Sequence, residues 1–307
     1  MNLHCRIIVI LIAVLVPGMI SGSMQAQPNG LFFLSDCQQP RFGEKIFLKA
    51  YKNKEGRDSV FAHLERENPA SLFILGDMVA KGSSKKKWKA VDKFLGKMKS
   101  EGTRIYAIPG NHEYMGKDSK GLANFRLRFP GQSIYGYRVK TDSFAVVMLN
   151  SNFRRMELKH RKQEYDWYLA VMDSLDADPA VKTILVCTHQ APFSNSKIVG
   201  SSAEVMQAFV PRFETSPKAK LFISGHSHNL EYFADNRGKH FLVCGGGGGL
   251  AQPLYTGNKA PYKDRVDRRK VPLFFYVQII PMSSDIEIKA EGFSHDFSRQ
   301  SLVLPNR

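Results

Sequence analysis

The chain has 307 residues, 43% of them apolar and 23% charged, with four cysteines. These proportions exclude a disordered, collagenous or coiled-coil chain and a disulfide scaffold, and the length allows one large domain. The formal charge of +16 suits an anionic partner but is silent about fold.

In chain order, residues 1–27 come first. Arg6 precedes the apolar run Ile7–Val16, and Pro17-Gly18 and small polar residues follow. This is the layout of a secretory signal, expected to be cleaved, with an uncleaved N-terminal anchor as the alternative. The run is too short to cross a bilayer, which needs about 20 residues. The reading makes the protein secreted or periplasmic, with no transmembrane segment in the mature chain and one domain over residues 28–307. Cys37, Cys187 and Cys244 each adjoin an apolar run and read first as small buried thiols, with a metal-ligand role for Cys37 or one disulfide among the three as alternatives.

Strands are expected at Leu31–Leu34, Leu72–Leu75, Ile105–Ile108, Phe144–Leu149, Thr183–Val186, Lys220–Ile223, Phe241–Val243 and Leu273–Ile280. They are short, apolar and rich in β-branched or aromatic residues. Helices are expected at Ser59–Arg66, Lys85–Lys99, Gln163–Leu175 and Ala203–Phe213. Pro69, Pro179 and Pro217 sit just beyond three of them. Strand–helix alternation in the first half predicts parallel strands. Consecutive strands near the C-terminus predict antiparallel pairing. The sum is an α/β layered domain with two sheets and outer helices.

Five of the runs are followed by Asp, Asn or His. Leu31–Leu34 is followed by Ser35-Asp36-Cys37-Gln38, and Leu72–Leu75 by Gly76-Asp77. Ile105–Ile108 is followed by Pro109-Gly110-Asn111-His112-Glu113, and Thr183–Val186 by Cys187-Thr188-His189. Lys220–Ile223 is followed by Ser224-Gly225-His226-Ser227-His228. Each pattern alone is an ordinary turn or cap. Together they deliver carboxylates, amides and imidazoles to the carboxyl edge of a sheet, where open α/β folds bind ligands. That donor set suits Zn, Mn or Fe. It is too large for one ion, and two ions bridged by a carboxylate would use it, the arrangement of phosphoryl-transfer sites.

In this order the motifs resemble the calcineurin-like metallophosphoesterases, and the Gly225–Tyr232 segment is similar to their acid phosphatase branch. The resemblance implies a four-layer α/β/β/α sandwich and two divalent or trivalent metal ions. By position, Asp36 and His228 would hold the first ion, with Gln38 where the family usually has His. Asp77 would bridge, and Asn111, His189 and His226 would hold the second. His112 would protonate the leaving oxygen or stabilise the transition state, and with Asn111 would contact substrate. No Tyr follows Gly76-Asp77 as in purple acid phosphatases, so an iron–tyrosinate colour is not expected. The Asp-Arg of serine/threonine phosphatases is also missing.

The resemblance implies direct attack of metal-bound hydroxide on a small phosphorylated substrate, most readily a phosphomonoester. A phosphodiesterase or nuclease on the same scaffold is the second reading, and a degenerate non-catalytic binding module the third. Nucleic acid is the less favoured partner. Lys85-Lys86-Lys87-Trp88-Lys89 reads as a solvated helix face or a polyanion face where Trp88 could stack a base. Gly245–Gly249 reads as a tight turn bringing backbone near the metals, and Lys259–Lys270 as a surface loop.

Overall fold

The computed structural model describes residues 30–141, 143–282 and 285–305. The expected signal, residues 1–27, lies outside them.

The first half builds β1 (Leu31–Leu34), α1 (Glu44–Phe47), α2 (Asn53–Glu67), β2 (Ser71–Ile74), α3 (Lys85–Ser100), β3 (Arg104–Ala107) and α4 (Asp118–Arg128). Then come β4 (Tyr137–Lys140), β5 (Phe144–Met148), α5 (Leu158–Ala177), β6 (Thr183–Cys187), α6 (Ala203–Thr215) and β7 (Ala219–Ser224). The last strands are β8 (Leu230–Ala234), β9 (His240–Cys244), β10 (Phe274–Pro281), β11 (Ile286–Phe293) and β12 (Arg299–Val303).

They form two six-stranded sheets, in the orders β12-β11-β10-β1-β2-β3 and β4-β5-β6-β7-β9-β8. The strands β1, β2 and β3 run parallel, as do β5, β6 and β7. The expected antiparallel pairing near the C-terminus is found for β10–β11–β12 and for β8–β9. One pairing departs from it, because β9 lies parallel to β7. The hairpin β8–β9 therefore enters the second sheet at its far strand, while β10 crosses to the first sheet beside β1.

Alternation along each strand sets the layers. Phe33, Phe73, Leu185, Leu221, Val277 and Ile288 fill the space between the sheets. Phe32 and Leu72 face the other way and pack with Val60, Trp88, Phe94 and Phe125 of the first helical layer. On the second sheet Val147, Val186 and Phe222 pack with Tyr168, Phe209 and Phe213 of α5 and α6. The result is the expected four-layer α/β/β/α sandwich. Each fully buried Phe, Leu or Val contributes about 1.5–3 kcal/mol, which is why short apolar strands suffice.

Several local readings are settled by packing. Cys37, Cys187 and Cys244 are free and buried, and burial holds their thiols well above the usual range. Trp88 is fully enclosed, its Nε1–H donating to the Gly82 carbonyl at 2.9 Å. It faces the core and cannot stack a base. The helix α4 was not expected, because its apolar residues are few and Gly121 interrupts them.

Candidate metal centre

Parallel strands that end at one edge project their following loops to one place. There the sheets bring together Asp36 after β1, Asp77 after β2, Asn111 after β3, His189 after β6, and His226 and His228 after β7. Two groups of side chains could each hold a metal ion: Asp77, His189 and His226, and Asp36, Asp77 and His228. In each group the ligand atoms lie within 4.8 Å of one another, and Asp77 belongs to both.

The imidazoles are oriented from behind. His189 Nδ1 meets the Leu75 carbonyl at 2.8 Å, and His228 Nδ1 meets the Leu250 carbonyl at 2.8 Å. A carbonyl only accepts, so Nδ1 carries the proton and Nε2 is turned inward. His189 Nε2 lies 3.0 Å from Asn111 Oδ1, 3.1 Å from His226 Nδ1 and 3.3 Å from Asp77 Oδ2. His228 Nε2 lies 3.3 Å from Asp36 Oδ1. Gln38 is best satisfied with its amide nitrogen donating to the Asp77 carbonyl at 2.7 Å and the Asp36 carbonyl at 3.2 Å. Its oxygen then faces His228 Nε2 at 3.0 Å, beside the group of Asp36, Asp77 and His228.

These residues fit a pair of cations. Acceptors face acceptors across the centre, and Asp36 Oδ1 is buried with no hydrogen-bond partner. The backbone N–H of His226 fixes the other Asp36 oxygen at 2.8 Å, and that of His112 fixes Asp77 Oδ1 at 2.7 Å. The electrostatics of the metal-free site are correspondingly opposed. Burial raises the Asp77 carboxyl, but His189 and His112 overcome it and hold Asp77 well below the carboxylate range. Burial lowers His189, but Asp77 outweighs it and carries His189 up to about 9. Burial, with His189 beside it, pushes His226 down to about 3. Burial lowers His228 too, yet the Asp36 carboxylate beside it leaves it raised.

The backbone is bent to make this geometry. Asp36, Asp77, His226 and His228 have φ of 59°, 50°, 70° and 51°, a left-handed conformation that side chains rarely adopt. Gly76, at φ 92°, has no room for a side chain: a Cβ there would lie 2.5 Å from Gly110 N and 2.9 Å from His189 Nδ1. The glycine run closes the other side. Gly247 and Gly249 donate N–H to the Ser35 and Asp36 carbonyls at 2.9 and 2.8 Å. A Cβ on Gly245 would lie 2.6 Å from His228 N. The run is a tight turn against the ligand loops, as expected.

His112 stands at the rim. Its Nδ1 meets the Ala80 carbonyl at 3.1 Å, and its Nε2 is 3.8 Å from Asp77 Oδ2. Two contributions were missed in the sequence. Glu113 is buried, and its carboxylate accepts the N–H groups of Asp77 at 2.8 Å, Gly110 at 2.7 Å and Met78 at 2.9 Å. It ties the loops after β2 and β3 together. Asn150 and Asn152 follow β5, and Asn152 Nδ2 donates to the Pro109 carbonyl at 2.8 Å. The strand-end rule applied to Phe144–Leu149 points to both. A cleft of about 300 Å³ opens beside Asn111 and His226, lined further by Asn152, Arg154, Arg155 and Gln190.

The calcineurin-like phosphoesterase family matches residues 31–230. No curated protein matches the chain. Among solved structures, a dimetal phosphatase from Danio rerio is similar at a TM-score of 0.61 and 14% identity, over 92% of this chain and 100% of that one. A purple acid phosphatase from yellow lupin (Lupinus luteus) seeds is similar at 0.65 and 13% identity, over 91% of this chain and 54% of its own. So is GAP50, the anchor in the inner membrane complex of Plasmodium, at 0.62 and 14%, over 87% and 85%. At such identities these likenesses speak to the fold alone, and it is the family match, spanning every strand-end motif, that assigns the chain: it belongs to the calcineurin-like phosphoesterase family.

Proposed function

We propose that this chain is an exported phosphoesterase that hydrolyses phosphomonoesters with two bound metal ions. The observation that carries the reading is the sharing of Asp77 between two ligand groups. Asp36, Gln38 and His228 would hold the first ion, and Asn111, His189 and His226 the second. Two such cations supply an activated water at neutral pH and neutralise charge on the phosphoryl oxygens.

The chain's own residues do the rest. Asp77 is held by the His112 N–H on one oxygen, so its other oxygen is aimed at His189. Asn111 turns Oδ1 toward His189, which leaves its Nδ2–H to donate to a phosphoryl oxygen. The Ala80 carbonyl holds the His112 Nδ1 proton, so Nε2 is the atom that exchanges a proton with the leaving oxygen. The cleft beside Asn111 and His226 is where a leaving group would lie, with Arg154 and Arg155 on its wall. Export rests on the signal-like layout of residues 1–27.

The test is turnover of p-nitrophenyl phosphate and bis-p-nitrophenyl phosphate after reconstitution with Zn, Mn or Fe in turn. Faster monoester hydrolysis supports the proposal, and faster diester hydrolysis replaces it with a diesterase. Stoichiometric metal binding without turnover of either ester would make the chain a binding module.

A further inference from the structure

The segment that follows the first ligand loop carries a surface the hydrolytic reading does not use. Phe42, Ile46 and Phe47 are 85%, 65% and 84% exposed, and α1 buries none of its residues. Single exposed apolar side chains are ordinary, but three within six residues form a patch. Arg41, Lys45, Lys49 and Lys52 are interleaved with them and exposed. The one carboxylate in α1, Glu44, is spent on the Arg41 backbone N–H at 2.7 Å.

A groove of about 440 Å³ joins this segment to the start of α3, with Pro40, Arg41 and Phe42 on one wall and Lys81, Lys87 and Met115 on the other. Lys81, Lys85, Lys86 and Lys87 are exposed. None of the four has an ion-pair partner among the described residues. The buried Trp88 fixes the first turn of α3, so the lysines before it are held outward. Apolar side chains are thus ringed by unpaired cations on one face.

From this juxtaposition we infer that the Arg41–Lys52 segment and the start of α3 form a docking surface for an anionic lipid bilayer. Lysine and arginine seek the headgroup charge, and the two phenylalanines and Ile46 enter the acyl boundary, as in helices that lie in the interface. A polyanion without an apolar layer, such as nucleic acid, would satisfy the lysines and leave the three apolar side chains in water. The surface begins three residues after Gln38, and Ala80 and Met115 in the groove are hydrogen-bonded to His112. Docking would set the rim of the metal centre at headgroup level. The inference does not depend on which ester is hydrolysed.

The test is local, because an apolar N-terminal run in the full chain could reach a vesicle by itself. A Phe47→Trp variant of the full chain is mixed with vesicles carrying brominated acyl chains, made of phosphatidylcholine alone or with phosphatidylglycerol. The fluorescence added by the new Trp should be quenched on anionic vesicles and not on neutral ones. Adding Lys85→Gln, Lys86→Gln and Lys87→Gln should weaken the quenching titration about 100-fold, at about fivefold per cation. Hydrolysis of a small soluble ester should be unchanged in the Phe47→Trp variant, which shows that it is folded. Absence of quenching on anionic vesicles, or equal quenching on neutral ones, overturns the inference. So does lysine-dependent binding of a DNA oligonucleotide without quenching, which would make the surface a nucleic-acid face.

Discussion

Glu113 is the most informative position for perturbation, because it touches no expected ligand atom and yet fixes two ligand loops. Its two oxygens accept three backbone N–H groups, from Asp77, Gly110 and Met78. A hydrogen bond to a charged acceptor contributes about 1.5–3 kcal/mol, and an orphaned buried N–H costs about 1–3 kcal/mol. Glu113→Gln keeps one oxygen and turns an NH₂ toward a backbone donor. The loss is then about 2–4 kcal/mol, or about 3–7 °C in Tm for a domain of this size. Metal affinity should fall about 10–100-fold, as for other groups that orient ligands from behind. Burial, reinforced by the charge on Asp77, pushes Glu113 up to about 8 in the metal-free chain. A cation at Asp77 removes that repulsion and restores the carboxylate that the three donors require. The assay is thermal melting with and without saturating zinc, paired with metal titration. If Glu113→Gln melts and binds zinc like the wild type, Glu113 is a neutral acid whose three contacts matter little, and the reasoning fails.

Asp77→Ala should abolish both turnover and tight binding of two ions, measured by elemental analysis; two retained ions would refute the bridging role. His112→Asn should leave metal content unchanged and cut turnover about 10²–10⁴-fold; a parallel loss of metal would move His112 into the ligand set. The metal-free chain should lose stability as pH rises. Burial opposes the charge on His189, but Asp77 carries its folded pKa from 6.5 to about 9, so that contribution is complete below 6.5 and gone once pH passes about 9. Glu113, raised from 4.5 to about 8, acts in the same direction. Melting temperatures of the metal-free chain should fall across this window and flatten with saturating zinc; a flat metal-free profile would contradict the coupling.

Much of the centre was legible because parallel strands buried on both faces read as unbroken apolar runs, and the residue after each run is then an edge residue by construction. That logic located Asp36, Asp77, Asn111, His189, His226 and His228 without knowledge of which strand lies beside which. It could not give sheet membership. The placement of β10 against β1 rather than beside β9 depends on a crossover that leaves no periodic signal. The strand β4, Tyr137–Lys140, alternates polar and apolar at a sheet edge and was too short to register. Glu113 was visible as a carboxylate beside His112, but its role depends on where the backbone donors of Asp77, Met78 and Gly110 point. Gln38 stood in the sequence as a departure, and only the two carbonyls behind it give its amide a preferred direction.

The left-handed backbone at Asp36, Asp77, His226 and His228 has an evolutionary consequence. Conformations of this kind cost about 1–3 kcal/mol each for ordinary residues, whereas glycine adopts them freely and asparagine tolerates them. A lineage no longer selected for turnover can therefore shed backbone strain at these four places by drift toward Gly or Asn, and at Asp36 and Asp77 Asn would also keep an acceptor for the His226 and His112 N–H groups. Abandonment of catalysis relieves backbone strain on this scaffold, and recovery of it restores that strain. Sequences that keep Asp and His at all four places bear the mark of continued selection on chemistry.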